Sequence, residues 1–247
     1  MAKETKKAAP VAANEKEAAP KQDFFAQHSK LIYTILLLVL AVIVVVYFLI
    51  QNYEQNKNAA ANAMNAPVEH LNRAIQSGDS LEFRLALEGT EEEMGFLQIL
   101  DEYGAKGGES IYLDIAICEL NLGLFDDAIE HASEYDSDDE LMSSRALSLI
   151  GNAYMEKEAW ADAKENFLKA ADLLDSEISA YYLYNAGLAA EKLGQKEEAL
   201  NLYKKIEARY PAALLATEQI YPGQYYEGSL VPVQIARLEA ELARDAE

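Results

Sequence analysis

The sequence is poor in the side chains that usually bind metals or form covalent cross-links. It holds one cysteine, Cys118, together with three histidines and one tryptophan in 247 residues. A single cysteine excludes an intramolecular disulfide and a cysteine-based zinc site. The histidines, His28, His70 and His131, stand too far apart for a zinc motif. We therefore expect no metal and no cofactor.

Basic residues are also scarce, since 21 Lys and Arg face 42 Asp and Glu, for a net charge of −21. The acidic excess lies after residue 30, because Lys outnumbers the acids before it. So acidic a surface is repelled by nucleic acid and by anionic lipid headgroups. We expect protein partners, including basic or unfolded polypeptides, although the acids could equally serve only to keep the surface solvated.

One segment, Leu31 to Ile50, has no charged residue, and Thr34 is its only residue that is neither aliphatic nor aromatic. A helix of that length spans the roughly 30 Å hydrocarbon core of a bilayer. Tyr33 and Tyr47 stand near its ends, where aromatic rings favour the membrane interfaces. This predicts a transmembrane helix over residues 31–50. A cleaved signal peptide and a buried core helix are the alternatives, but the apolar run is too long for the first.

Lysine counts predict the orientation of this helix. Residues 1–30 carry six Lys, whereas Lys57 is the only basic residue in the 20 that follow the span. Because positive charge stays in the cytoplasm, we expect a cytoplasmic N-terminus and an extracytoplasmic C-terminal domain. The predicted location is the inner membrane of a bacterium, crossed once, with the domain in the periplasm. Residues 1–30 are expected to be a disordered tail, and residues 51–66 a linker or an extension of the helix.

From Pro67 onward the apolar pattern is helical and repeats. Segments aligned at Ala128, Ala163 and Ala199 are 35 and 36 residues apart, close to the 34-residue period of tetratricopeptide repeats. We expect an all-α fold in which three such hairpins, over residues 109–211, stack into an α-solenoid. The small residues Gly151 and Gly187 would let the paired helices approach closely. Turns are expected at Leu122-Gly123, Lys157-Glu158 and Leu193-Gly194.

The regions on either side of these hairpins are less regular. Residues 67–108 are predicted to form a degenerate hairpin, with Val68, Leu71 and Ile75 on one apolar helical face and Phe96, Leu97, Leu100 and Tyr103 on another. Residues 212–247 are predicted to hold an irregular loop and a capping helix. Ser229 would cap that helix, and its apolar stripe would be formed by Val231, Ile235, Leu238 and Leu242.

A membrane anchor followed by such repeats resembles the bacterial tetratricopeptide proteins of the YfgM type. The stretch GFLQILDEYGAKGGESIYLDIAICELNLGLFDDAIEHASEY, Gly95 to Tyr135, is similar to the start of the repeats in that family. The resemblance covers roughly residues 24 to 215, and the tail beyond Pro211 departs from it. It implies an ancillary subunit of the SecYEG translocon that works with periplasmic chaperones.

The first helix of each hairpin in a tetratricopeptide array lines a concave groove that often binds peptides. Ten residues of this chain fall at groove positions: Leu113, Ile117, Leu120, Arg145, Ser148, Asn152, Met155, Tyr181, Tyr184 and Leu188. Their apolar and aromatic character suits varied apolar segments. Alternatively, the C-terminal helix or a second copy of the chain covers this surface. Leu113 and Ile117 replace the Lys and Asn of a carboxylate clamp, which excludes that subclass.

Two short motifs resemble ligand loops only in part. The run YDSDDE from Tyr135 lacks the glycine and the bidentate glutamate of a calcium loop. The run YGAKGGES from Tyr103 lacks the ending of a phosphate loop, so we expect a flexible connection there. The sequence thus predicts a binding scaffold at the translocon and no enzyme. The alternative is a structural adaptor in another envelope complex, such as a secretion or division machinery.

Overall fold

The structure is a computed structural model that describes residues 24–213 and 230–246. Of these residues 82% are helical, and their only β feature is an isolated bridge between Gly89 and Met94. The expected all-α class is confirmed. By their internal contacts the residues divide into two units, one ending at Asn52 and one beginning at Tyr53. The eleven α-helices of the described residues are α1 Phe24–Ala63, α2 Asn65–Ser77, α3 Ser80–Glu88, α4 Phe96–Tyr103, α5 Ile111–Leu122, α6 Phe125–Ser133, α7 Glu140–Glu156, α8 Trp160–Leu173, α9 Ser179–Lys192, α10 Lys196–Arg209 and α11 Leu230–Asp245.

Helix α1 contains the apolar segment. Its 40 residues measure about 60 Å at 1.5 Å per residue, and the large apolar side chains from Leu31 to Ile50, apart from the half-buried Ile32, are 47–67% exposed. It is the one helix among the described residues that is long and apolar enough to cross a membrane. Apolar side chains left uncovered by protein along this segment match a lipid surrounding rather than water.

The N-terminal end of α1 differs from the sequence expectation, and its C-terminal end matches one of the two expected alternatives. The helix begins at Phe24, so residues 24–30 are helical and not part of a disordered tail; no Pro or Gly interrupts them. At the other end the helix continues to Ala63, and Met64 N–H donates to Ala60 O at 3.0 Å. The structure therefore favours the helix extension over the linker for residues 51–66. Residues 1–23 lie outside the described part of the chain.

Residues 67–108 form more elements than the hairpin expected there. Helix α3, SLEFRLALE, was not predicted, and it pairs with α2 through a turn at Gly78 (φ 70°). Asp79 caps α3 by accepting a hydrogen bond from Leu81 N–H at 2.9 Å. Helix α4 follows as a third element, then a 3-10 helix, Gly104–Gly107. The prediction for Ile75 was wrong: it is 59% exposed, because the core contacts of α2 come from the face of Leu71 and Ala74.

The glycine-rich segment after α4, expected to be a flexible connection, contains a short helical element packed on its neighbours. It forms the 3-10 helix, and a Cβ built on Gly107 would lie 3.3 Å from Met64 Cγ and 3.5 Å from Ala60 Cβ. Ala60 is fully buried. The small residue thus lets this segment pack on the end of α1.

Helices α5 to α10 form three hairpins, α5/α6, α7/α8 and α9/α10, and each helix also packs on the next one along the chain. The three predicted turns are confirmed, with positive φ at Gly123 (80°), Glu158 (57°) and Gly194 (74°). After each turn the same backbone bond closes the helix end: Leu124 N to Glu119 O, Ala159 N to Tyr154 O and Gln195 N to Ala190 O, at 2.8–2.9 Å. This is the Schellman pattern of a helix C-terminus. Its three copies are separated by the same 35 and 36 residues as the sequence repeat.

The close approach expected inside the hairpins is confirmed at two glycines. A Cβ on Gly151 would lie 2.8 Å from the Phe167 ring, and one on Gly187 would lie 2.5 Å from the Tyr203 ring. In both hairpins glycine and aromatic ring are 16 residues apart. The first hairpin has Ala116 and Ala132 at the same positions, both buried and in one cluster.

Helix α11 packs on α10 and closes the end of the array. Its predicted stripe is confirmed, since Val231 and Leu238 are fully buried and Ile235 and Leu242 are half-buried. Ion pairs flank this contact, including Lys204 Nζ to Glu239 Oε1 at 2.6 Å. The predicted cap at Ser229 and the loop before it lie outside the described residues.

Candidate partner-binding groove

The first helices of neighbouring hairpins make contact with each other, since α5 packs on α7 and side chains of α7 reach α9. Ser144 on α7 and Tyr182 on α9 are joined by a hydrogen bond of 3.3 Å between their hydroxyl oxygens. Asp114 on α5 faces the charge of Arg145 on α7. These contacts bring the residues expected to form a groove onto neighbouring helices.

The ten predicted groove residues fall into exposed, half-buried and buried groups. Arg145 is exposed and Tyr181 is 41% exposed. Seven are half-buried: Ile117, Leu120, Ser148, Asn152, Met155, Tyr184 and Leu188. The prediction for Leu113 was wrong, because it is only 3% exposed and has no surface to offer a partner. Ile117 was expected to line the groove, but it packs against the cluster formed by α2, α3 and α4.

A cleft of about 540 Å³ opens between the C-terminal ends of α5 and α7 and the middle of α9. Three predicted residues line it, Leu120, Asn152 and Met155. Sequence reasoning missed the other lining residues: Asn121, Gly123, Phe125, Glu156, Phe167 and Asn185. The predicted turn after α5 could have identified two of them, because it brings Gly123 and Phe125 back beside the end of the first helix.

The remaining predicted residues are not brought into this cleft. Tyr184 packs on Tyr203, with the ring centroids 5.5 Å apart. Tyr181 lies near the N-terminus of α9, away from the cleft at the helix ends. The candidate site is therefore smaller and more polar than the predicted apolar groove.

The reactive groups near the groove are withdrawn from solvent. Cys118 is fully buried, as expected of a core residue, and burial raises the pKa of its thiol to about 12. Glu119 is 3% exposed, and burial raises its pKa although His131 Nδ1 lies 2.9 Å from Oε2 and opposes the shift. Burial also raises the pKa of Asp114 to about 6, against the attraction of Arg145.

Two further clusters of charged residues have structural roles. Asp139, in the YDSDDE run, caps α7 by accepting hydrogen bonds from Leu141 N–H and Met142 N–H at 3.0 and 3.1 Å. Between α2 and α3, His70 Nδ1 and Arg73 Nε contact Glu82 Oε2 at 2.6 and 3.1 Å. Within the described parts of the chain, no three His, Cys, Asp or Glu residues are grouped as metal ligands would be.

Comparison with known proteins adds no relative to this description. No family model matches the chain, and a search of curated proteins finds no match.

Proposed function

We propose that this chain is a membrane-anchored, extracytoplasmic scaffold of the tetratricopeptide type that binds other proteins through its row of first helices. The observation that carries the proposal is the threefold recurrence of one hairpin, with the same closing bond at Leu124, Ala159 and Gln195. Each such hairpin buries its apolar face only by stacking on its neighbours, and stacked hairpins produce extended binding surfaces.

The anchor and the surface fit the same role. One helix of α1's length and composition holds a protein at a membrane, and the lysine bias supports an extracytoplasmic domain. The open cleft offers apolar and amide groups, whereas the thiol of Cys118 and the carboxyl group of Glu119 are buried. This distribution supports binding rather than catalysis.

We place the scaffold at the Sec translocon, where it would assist translocated proteins together with periplasmic chaperones. The basis is the layout of anchor, Gly95–Tyr135 stretch and repeats that resembles the YfgM type. A structural adaptor in another envelope complex would have the same anchor and surface. The two proposals are therefore distinguished by which proteins the chain binds.

Site-specific photocrosslinking in cells that express the full chain tests the proposal. A photoreactive amino acid is placed at Leu120 or Tyr181 on the first helices, and at the exposed Asn201 on α10 as the control. We expect protein adducts from the first two positions, identified by mass spectrometry as translocon subunits or chaperones. Subunits of a secretion or division complex would instead support the adaptor.

Two results would refute the scaffold. Adducts from Asn201 alone would move binding away from the first helices. Digestion of the domain by protease added only on the cytoplasmic side would reverse the proposed orientation.

A further inference from the structure

The first hairpin encloses a carboxyl group and a histidine between its two helices. Glu119 of α5 is 3% exposed, and its Oε2 lies 2.9 Å from Nδ1 of His131 on α6. The same ring nitrogen lies 3.2 Å from the backbone carbonyl oxygen of Asp127. Because a carbonyl oxygen only accepts hydrogen bonds, we assign a proton to Nδ1, which donates to both oxygens. Glu119 and His131 are called the Glu119–His131 pair below.

The repeat does not require charged groups at these two positions. At the repeat spacings of 35 and 36 residues, Tyr154 and Ala190 take the place of the glutamate, and Asn166 and Leu202 take the place of the histidine. Both later hairpins nevertheless close with the same backbone bond as the first, accepted by Tyr154 and Ala190. The pair is thus an addition of the first hairpin, which buries an ionisable carboxyl group where neutral side chains suffice.

The strongest electrostatic effects on Glu119 come from α6. His131 favours its charged form, whereas Asp127 and Glu130 oppose it. Burial opposes the charged form as well, and it is the largest of these effects. When the histidine is uncharged, an ionised carboxylate is therefore left inside an apolar hairpin beside two further acids, which is costly.

The elements before the first hairpin bring no compensating charge to the pair. Helices α2, α3 and α4 meet α5 through apolar side chains, among them Phe83, Leu87 and Ile99. Lys106 of the 3-10 helix precedes the start of α5, whereas Glu119 lies near its end.

Two cations approach the first hairpin from the side of α7, and both meet other acids. Arg145 acts on Asp114, and Lys157 forms an ion pair with Asp126. Neither cation is among the strongest influences on the charge of the buried glutamate. The histidine is therefore the main source of positive charge for it.

From this geometry we infer that the Glu119–His131 pair is a pH-sensitive latch that holds α6 on the end of α5. With one exchangeable proton, on the carboxyl group or on the second ring nitrogen, the pair is neutral and the hairpin is closed. When that proton passes to water, a buried negative charge remains. The hairpin then opens locally, because an unpaired charge is more stable in water than in the core.

The latch adjoins the candidate cleft. Glu119 O accepts the closing bond from Leu124 N–H at 2.8 Å, and the nearby Leu120, Gly123 and Phe125 line the cleft. Opening of the first hairpin therefore removes one wall of the cleft, whereas the second and third hairpins have neutral side chains at these positions and stay closed. The pH of the surroundings then controls how much of the binding surface is formed. This consequence rests on the proposed function, but the latch itself does not.

Hydrogen exchange of the full chain in detergent micelles, measured by mass spectrometry at about pH 6 and pH 8.5, tests the latch. Exchange times are scaled for the intrinsic effect of pH, and peptides from α9 and α10 are the internal reference. The matched control is the double variant Glu119→Ala with His131→Leu, which gives the first hairpin the residues of the third. A second variant, Glu119→Gln, removes the charge and keeps the shape of the side chain.

Burial raises the pKa of Glu119 to about 7, above that of a glutamate in an unfolded chain. The folded hairpin therefore holds this proton more tightly, and the stability it contributes is lost as the pH rises through about 7. In the unaltered chain, the protection of α5 and α6 should fall about tenfold between pH 6 and pH 8.5. In both variants it should fall about twofold at most, which is the share of Asp114 with its pKa of about 6.

Two results would overturn the latch. One is protection of α5 and α6 that does not change with pH in the unaltered chain. The other is an equal fall in the unaltered chain and in Glu119→Gln, because another group would then carry the pH dependence. If the double variant loses its helical circular dichroism signal, Glu119→Gln decides alone. None of these results alters adducts from Leu120 or Tyr181, so the scaffold proposal is tested separately.

Discussion

Replacement of Gly187 by alanine tests the packing on which the hairpins depend. The added Cβ would lie 2.5 Å from Cε1 and 2.8 Å from Cζ of Tyr203, distances that require one of the two helices or the ring to move. The ring cannot move freely, because it is fully buried and its hydroxyl donates to Glu191 Oε1 at 2.8 Å. Glu191 is in turn bound by Arg237 of α11. The clash therefore extends to the contact that holds the last helix.

The expected size follows from two opposing effects. Alanine in place of glycine inside a helix stabilises by about 1 kcal/mol, whereas overpacking a core costs about 1–3 kcal/mol. Displacement of the Tyr203 hydroxyl adds about 1 kcal/mol. We expect Gly187→Ala to lower the stability of the α9/α10 hairpin by about 2 kcal/mol on this reckoning.

The assay combines thermal unfolding of the full chain in detergent, followed by circular dichroism, with hydrogen exchange of α9, α10 and α11. Exchange is needed because stacked hairpins unfold in parts as well as together. Asn201→Ala on the exposed face of α10 is the control and should be neutral or slightly stabilising. A second variant, Gly187→Ala with Tyr203→Leu, should lose less stability than the sum of its parts. A higher melting temperature for Gly187→Ala, with exchange in α11 unchanged, would refute the reasoning.

Three further changes have expected outcomes. Burial raises the pKa of Asp114 from 3.8 to about 6, so the folded state holds the proton of this carboxyl group more tightly than the unfolded state does. Stability should therefore fall by about 3 kcal/mol as the pH rises from about 4 to 7, and Asp114→Asn should remove that part of the pH dependence of the melting temperature. Leu238→Ala should cost about 2–5 kcal/mol locally, since the side chain is fully buried between α11 and α10, and should expose α11 to limited proteolysis. Asp139→Ala should lower the melting temperature by the equivalent of about 1 kcal/mol through loss of the α7 cap, whereas the neighbouring Asp138→Ala should leave it unchanged.

The parts of the fold that the sequence predicted are those set by short-range patterns. The apolar run from Leu31 to Ile50 and the 35- and 36-residue spacing of the turns needed no tertiary information. Glycine after leucine at Gly123 and Gly194 specified two turns, and the third, at Glu158, followed from the repeat alone. Helix α3 was missed because its apolar residues are less strongly confined to one face than those of α2 and α4.

The candidate site was predicted less well, because its position depends on which neighbour each face meets. Leu113 and Ile117 occupy groove positions by alignment, yet Ile117 is covered by the helices that precede the repeats and Leu113 is buried. Asn185 was not selected because its partners in the cleft, Leu120 and Met155, are distant in sequence. Alignment to a repeat gives the face of a helix that points inward, but not the element packed against it.

The pair of residues 16 positions apart shows how one repeat can differ from the next without a change of fold. The second and third hairpins place a large ring, Phe167 or Tyr203, against a glycine, whereas the first places Ala132 against Ala116. Both alanines are buried in one cluster with Ile150. An aromatic residue at position 132 could not be accommodated as Phe167 and Tyr203 are, because Ala116 carries a Cβ where Gly151 and Gly187 have none. The two positions must therefore change together, and the first hairpin keeps the 16-residue spacing of the pair without a ring.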